Sequence, residues 1–409
     1  MKIGIDCHNL ESNRMGMGRY LLNLLNYWAN LEPEFILYFK NHVPDDIPSG
    51  KNFKNEILET KSNAAFEHFL LPKATKKDKI DLFFSPSYIL PLRISKKTKT
   101  AVAVHDISYE AHPEWFSWQN RILLRRVSKK SAKRADIIFT PSEFTKKEIL
   151  KYWQPNSNKV FVVPLAADQK FRYYSSAFLV RPSEADSGLN SKPLRLNSET
   201  VPASEFKTRI GTIPELAEIL KKYKIKNKFI FYIGAIFNRR FIPECIEAFK
   251  QIAEKFPEYQ FLISGTNYTH PFVDINYIIK KANADVGREA ILKIDYAEEG
   301  DLVYLYNAAD LFIYLSSYEG FGLPPIEALA CGTPVITTKM GSLAEAVGDS
   351  AVFVKNPEDV KEISGAMEKI LSDEHFRKEL IKKGLKQAQK FSWEKTAKET
   401  LKILTNYEK

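Results

Sequence analysis

The chain has 409 residues, 44% of them hydrophobic, with 60 Lys and Arg against 50 Asp and Glu for a formal net charge of +10. That length and apolar content can fill two full cores and set an expectation of two to three domains. Cys7, Cys245 and Cys331 are dispersed, no signal peptide precedes Ile3 and no apolar run reaches membrane-spanning length, so a disulfide scaffold and a membrane-spanning protein are both excluded from the expectation. A cytoplasmic protein, or one bound at the inner face of a membrane, is expected.

Apolar runs of strand length alternate with helical patterns along both halves, which argues for parallel sheets. Lys2-Ile3-Gly4-Ile5-Asp6 reads as a buried strand, and a polar loop leads from it to Gly16-Met17-Gly18-Arg19-Tyr20 and an apolar helix. A glycine turn there suits either a phosphate or a plain strand-to-helix connection, and its spacing does not match Gly-x-Gly-x-x-Gly. Residues 101–104 form the next informative strand, with His105 at its carboxyl end, the end at which open α/β sheets bind ligands. A lone histidine in that place serves a ligand or simply the local hydrogen bonding. Arg121 to Arg134 carries seven cations and no acid, just after Trp115, Phe116 and Trp118. Residues 1–150 hold 24 Lys and Arg against 17 Asp and Glu, a net of +7, so this half carries most of the excess charge. The run suits an anionic membrane surface or a solvated face.

From Tyr173 to Gly211 the chain is rich in Ser, Asn and Pro without periodicity, which reads as a mobile insertion at a domain junction whose aromatic start, Phe171-Arg-Tyr-Tyr, packs on a domain. Residues 229–233 resume the strand pattern, and Arg239 and Arg240 follow directly. Two cations after a strand suit a diphosphate, or form a surface pair. Residues 318–335 then read Tyr-Glu-Gly-Phe-Gly-Leu-Pro-Pro-Ile-Glu-Ala-Leu-Ala-Cys-Gly-Thr-Pro-Val, with Glu319 and Glu327 eight positions apart. Gly320 and Gly322 allow close backbone approach, and Pro324 and Pro325 suit a first helical turn. The free N–H groups of such a helix end attract an anion, and Glu327 near it offers acceptors to a pair of sugar hydroxyls. Either glutamate alone could merely complement the helix dipole. A last helix begins at Phe391-Ser-Trp-Glu, with Ser392 as its N-cap.

The stretch from Glu319 to Val335 resembles the donor-site signature of retaining glycosyltransferases of family 4, and the resemblance covers nearly the whole chain apart from the insertion. It implies a GT-B fold, two Rossmann-like doubly wound parallel-sheet α/β domains facing each other across a cleft. The implied domains are 1–168, an acceptor-binding domain completed by the helix of 392–409; 169–212, the interdomain insertion; and 213–391, the donor-binding domain. The resemblance places Glu319 on the transferred sugar, Glu327 on the ribose, and the backbone of Gly320, Phe321, Gly322 and Leu323 on sugar hydroxyls and phosphate. It gives Arg239 and Arg240 the diphosphate, Gly16 a loop over that diphosphate, and His105 a place beside the donor sugar. Arg240 stands where the family has Lys, Phe241 where it has Asn, and Leu315 where it commonly has Pro.

The expected function is therefore a retaining hexosyltransferase, with Glu319, His105 and Arg239 as catalytic residues. The run from Val104 to Phe116 resembles mannosyltransferase-like members, so GDP-mannose is the favoured donor and a UDP-sugar the alternative. The acceptor is expected to be a glycan or glycolipid. No Asp-x-Asp pair and no zinc spacing occurs, so no cofactor or metal is expected. A catalytically inactive sugar-nucleotide binder, a nicotinamide-dependent dehydrogenase and a nucleic-acid binder are the readings from other classes. The intact donor set speaks against the first, the absent dinucleotide fingerprint against the second, and the donor signature against the third.

Overall fold

The computed structural model describes residues 1–11, 16–116, 118–174, 213–226 and 228–407. They divide into two compact units, one made of Met1–Asp168, Tyr318–Gly322 and Phe391–Lys409, the other of Gln169–Ser317 and Leu323–Lys390. Ser12 to Met15, Ser117 and nearly all of the expected insertion lie outside the described residues.

The first unit is built on seven parallel strands: β1 (Lys2–Asp6), β2 (Glu34–Phe39), β3 (Phe53–Ile57), β4 (Leu82–Ser85), β5 (Lys99–Ala103), β6 (Ile137–Thr140) and β7 (Val160–Val162), in the order β3-β2-β1-β4-β5-β6-β7. Phe35 to Phe39 are all buried, the continuous apolar run that a strand covered on both faces requires. The strand order reverses between β1 and β4, so the crevice beyond their carboxyl ends is the place where such a sheet binds ligands.

Helix Trp393–Asn406 belongs to this unit and is N-capped by Ser392, whose Oγ accepts the N–H of Lys395 at 3.1 Å. It packs on helix Gly16–Trp28. The buried Trp28 indole stacks on Phe35 and donates its N–H to the Ala397 carbonyl at 3.0 Å, which satisfies the one polar atom of the largest side chain in that layer.

The second unit holds six parallel strands: β8 (Lys228–Ile233), β9 (Tyr259–Ser264), β10 (Ile291–Ile294), β11 (Leu311–Tyr314), β12 (Val335–Thr338) and β13 (Val352–Val354), in the order β10-β9-β8-β11-β12-β13. Its helix Ile242–Ile252 buries Ile242, Cys245, Ile246, Phe249 and Ile252, the three-four spacing of one helical face. The switch point of this sheet lies between β8 and β11. The aromatic start of the expected insertion packs here: Phe171 sets its edge on Tyr306, and the Tyr174 N–H donates to Asn307 at 2.8 Å. Gly332, at φ +75°, admits Tyr173 so closely that a Cβ would lie 2.3 Å from its ring.

Candidate functional site

The loops that leave β8 and β11, on either side of the second unit's switch point, carry most of the motif residues. Beyond β8 the backbone turns at Gly234, with φ +145°, and its carbonyl lies 2.0 Å from where a Cβ on Gly265 would sit, so neither position takes a side chain without moving. Asn238–Arg240 form a single 3-10 turn, and Phe241 follows in the left-handed region at φ 54°. Asparagine tolerates that conformation far better than phenylalanine, which accounts physically for the family's preference and makes Phe241 a strained substitute.

Both arginines of this turn are stacked. The Arg239 guanidinium lies 4.2 Å from the Phe237 ring, which in turn stacks on Tyr268. The Arg240 guanidinium lies 4.3 Å from the Tyr314 ring at the end of β11, and Tyr314 stacks on Tyr232. Stacking engages the face of a guanidinium and orients its in-plane N–H fork, the geometry suited to phosphate oxygens. Arg240 is 6% exposed, a burial that excludes the reading of a solvated surface pair for this residue. The Arg239 carbonyl accepts the Ser317 N–H at 3.0 Å, tying the β8 turn to the start of the loop after β11.

Glu327 sits in helix Leu323–Ala330 and is only 2% exposed. Its Oε2 accepts the phenolic O–H of Tyr306 at 3.0 Å. Pro324 and Pro325 occupy the second and third positions of this helix, where a missing N–H costs nothing.

In the first unit, residues 318–322 form a tightly held turn. Gly320 lies against the backbone of His105: a Cβ on it would fall 1.9 Å from the His105 carbonyl oxygen. The close approach expected for this glycine is thus made to the chain itself. Its own carbonyl accepts two hydroxyls, Ser142 Oγ at 2.7 Å and Thr145 Oγ1 at 3.1 Å. Ser142 is also the N-cap of helix Glu143–Tyr152. Tyr318 is buried against the rings of Phe144 and His112, and Phe321 meets Phe391 edge-on. Gly322, at φ +107°, needs the freedom that only glycine has. Glu319, between these anchored neighbours, is half-buried.

His105 follows β5, with its ring edge against Tyr20 at 4.9 Å. Its Nε2 lies 3.1 Å from the Pro86 carbonyl, which can only accept, so Nε2 carries the proton and Nδ1 the lone pair. Burial pushes its pKa below the ordinary histidine value, against smaller opposing effects from Pro86 and Asp106, so the ring is neutral at neutral pH. Gly16 is exposed and opens helix Gly16–Trp28 at φ +22°, and among the described residues nothing lies within 4 Å of where its Cβ would sit.

Sequence reasoning brought out the glutamates, arginines and His105 but missed the residues that position them. Tyr306, Tyr314 and Phe237 look like ordinary core aromatics in the sequence. Ser142 carries one usable signal, its N-cap place before an amphipathic helix.

Residues 15–171 match the family described as Glycosyltransferase Family 4, and residues 216–387 match Glycosyl transferases group 1. The O-antigen chain mannosyltransferase B of Escherichia coli is 28% identical over 322 residues, 78% of this chain and 73% of the relative. The chain belongs to glycosyltransferase family 4. A second relative, the serotype-specific mannosyltransferase WbdA of Escherichia coli, is 30% identical over 59% of this chain but only 30% of its own length. Among solved structures, Anabaena HepE in complex with UDP and glucose superposes with a TM-score of 0.68 at 15% identity over the whole of both chains. The lipopolysaccharide glycosyltransferase WaaG does so at 0.67 and 14%, again over the whole of both chains. The fold of this glycosyltransferase is accordingly GT-B, with two Rossmann-like parallel-sheet domains. The two family matches leave residues 172–215 between them, the segment in which the sequence loses its periodicity.

Proposed function

We propose that this family 4 glycosyltransferase moves mannose from GDP-mannose to a hydroxyl of a glycan acceptor with retention of anomeric configuration. The similarity to an O-antigen mannosyltransferase over 78% of the chain is the observation that carries the choice of sugar. In the proposed step the bond from the sugar C1 to the diphosphate oxygen breaks and the acceptor oxygen bonds to C1 on the same face. The acceptor proton passes to an oxygen of the departing diphosphate, so the nucleoside diphosphate serves as its own base.

Negative charge grows on that diphosphate as the bond opens. Arg239 and Arg240, held by their aromatic partners, supply charge-assisted hydrogen bonds of about 1.5–3 kcal/mol each and take the place a metal ion would fill. Glu327, fixed by Tyr306, takes the ribose hydroxyls. Glu319 orients the sugar and supports positive charge developing at C1, and the Nδ1 lone pair of the neutral His105 accepts a sugar hydroxyl. Gly16 and the backbone of Gly320 to Leu323 contribute amide donors.

A lipid-linked acceptor suits the basic helix Trp118–Arg134, and the protein would then sit peripherally on an anionic membrane. Arg125 is committed to a bidentate pair with the buried Glu110 at 3.0 Å, and Lys129 and Arg134 donate to the carbonyls of Tyr152 and Pro91. Arg126, Lys130 and Lys133 are exposed at the spacing of one helical face. They form the stripe proposed to meet lipid headgroups. No helix among the described residues is long and apolar enough to cross a membrane.

Incubation with GDP-mannose or UDP-glucose and a panel of glycan acceptors, followed by NMR of the product's anomeric proton, tests the proposal. An α-mannoside formed from GDP-mannose is the expected product. A β-linked product refutes retention, and transfer from UDP-glucose alone refutes the donor.

A further inference from the structure

One chain of titratable side chains at the carboxyl ends of the first unit's strands takes no part in the roles given above. Asp6 ends β1, and its Oδ1 accepts both the backbone N–H of His8 at 3.2 Å and the ring Nδ1–H at 2.6 Å. Nε2 of His8 then faces Glu67 Oε1 at 3.9 Å, while the other oxygen of Glu67 lies 4.0 Å from Nε2 of His68. Carboxylate and imidazole thus alternate through four residues.

Glu67 and His68 lie on a π-helical turn, Phe66–Leu70, between the α-helical segments Asn63–Ala65 and Leu71–Lys77. Such an insertion re-aims side chains and is found frequently at functional sites. The Phe66 ring meets the His8 ring at 5.5 Å, and Tyr88 follows the end of β4. This group therefore lies at the β1/β4 switch point, where an open parallel sheet receives ligands. The side chains of His8, Glu67 and His68 keep 12%, 15% and 20% exposure, so all three are reachable from solvent.

We propose that His8 and Glu67, with the buried Asp6 holding the His8 ring, form a subsite for the hydroxyl groups of an uncharged sugar unit at the acceptor end of the glycan. The inference rests on the glycosyltransferase reading and adds the charge class of the acceptor to it. Carboxyl groups accept hydrogen bonds from neighbouring hydroxyls, and imidazole supplies a donor beside them. Asp6 is paired with the His8 ring and Glu67 holds its proton up to about pH 7, so the group offers no net positive charge to a phosphate or carboxylate on the ligand. Lys40, whose charge is felt at His8, directs its ammonium to Asn63 at 2.7 Å.

Saturation-transfer NMR on the full chain with GDP present tests this, using methyl α-D-mannopyranoside and mannose 6-phosphate as probes. Calorimetry with GDP is run first: failure of GDP to bind counts against the donor reading, and the sugar probes are then scored separately for the subsite. The neutral glycoside should bind, mannose 6-phosphate should bind more weakly, and Glu67→Ala and His8→Ala should weaken the glycoside by about tenfold or more, the loss of one or two hydrogen bonds. Glu67→Gln, which keeps the shape, should fall between, and it carries the comparison where thermal melts show that an alanine variant does not fold. Tighter binding of the phosphate, unchanged glycoside binding in the Glu67 variants, or no saturation transfer to any neutral glycoside overturns the proposal.

Discussion

Gly320→Ala places a single methyl group where the chain has no room for one. The new Cβ would sit 1.9 Å from the His105 carbonyl oxygen and 2.9 Å from its carbon, and both are backbone atoms that cannot rotate away. To restore even a 3.0 Å contact, the turn at 318–322 and the segment after β5 must part by about 1.1 Å. Two hydroxyl bonds into the Gly320 carbonyl, from Ser142 and Thr145, resist that movement, so Glu319 and His105 are displaced relative to each other. A misplacement near 1 Å costs a transfer reaction about 10²-fold in rate. Arg239 and Arg240 hang on a different turn and keep their stacking partners. The expected result is a kcat lower by about 10² with GDP affinity within about threefold of the parent protein. Steady-state kinetics with calorimetry on a variant of verified fold measures both. A variant that keeps kcat within about threefold would refute the claim that this contact sets the geometry of Glu319 and His105.

Tyr306→Phe removes the hydroxyl donated to the buried Glu327 carboxylate and should cost about 1.5 kcal/mol or more in urea unfolding, since bonds to charged groups are the stronger class; a loss under about 0.5 kcal/mol would show that Glu327 does not depend on it. The pH dependence of stability should reveal Glu67, whose carboxyl is pushed by burial, and secondarily by Asp6, from 4.5 to about 7, with His8 working against the rise. The folded state therefore holds that proton more tightly than the unfolded chain, and the contribution is present below pH 4.5 and lost as pH rises through about 7. His8 moves in the same sense: burial disfavours its charged form, but Asp6 and Glu67 together outweigh it. Glu67→Gln should gain on the parent protein by about 1–3 kcal/mol between the acid and alkaline ends of that window, whereas parallel stability curves would contradict the placement of Glu67. Co-sedimentation with anionic vesicles should be weak and salt-sensitive, and should fall when Arg126, Lys130 and Lys133 are all changed to Gln; equal partition onto neutral vesicles would remove the membrane role.

Much of the fold was legible because parallel strands covered on both faces are written as unbroken apolar runs, as in Phe35 to Phe39 and Phe229 to Tyr232. The motif around Glu319 was legible because proline fixes the backbone and glycine opens conformations that other residues avoid. The reason for Gly320 was not legible: a ligand was expected against it, and the neighbour is the carbonyl of His105, brought there from 215 positions away by tertiary packing. Arg239 and Arg240 were readable as charge but their stacked geometry was not, since Phe237, Tyr314 and their stacked partners carry no mark that separates them from other core aromatics. The seven-cation run was readable as a basic helix, yet the pairing of Arg125 with Glu110 depends on a helix fifteen residues upstream. Asp6, His8 and Glu67 were missed because Glu67 lies 59 residues beyond His8 in the chain, and only the fold makes them neighbours.

Arg239 and Arg240 are proposed to grip a sugar nucleotide through its diphosphate. Calorimetric titration of the parent protein and of Arg239→Ala with GDP-mannose tests that directly. Tight binding to the parent and at least about tenfold weaker binding to the variant, for the loss of one charge-assisted contact, is the predicted result. Equal affinity in the two proteins, or no binding of GDP-mannose to either, would contradict it.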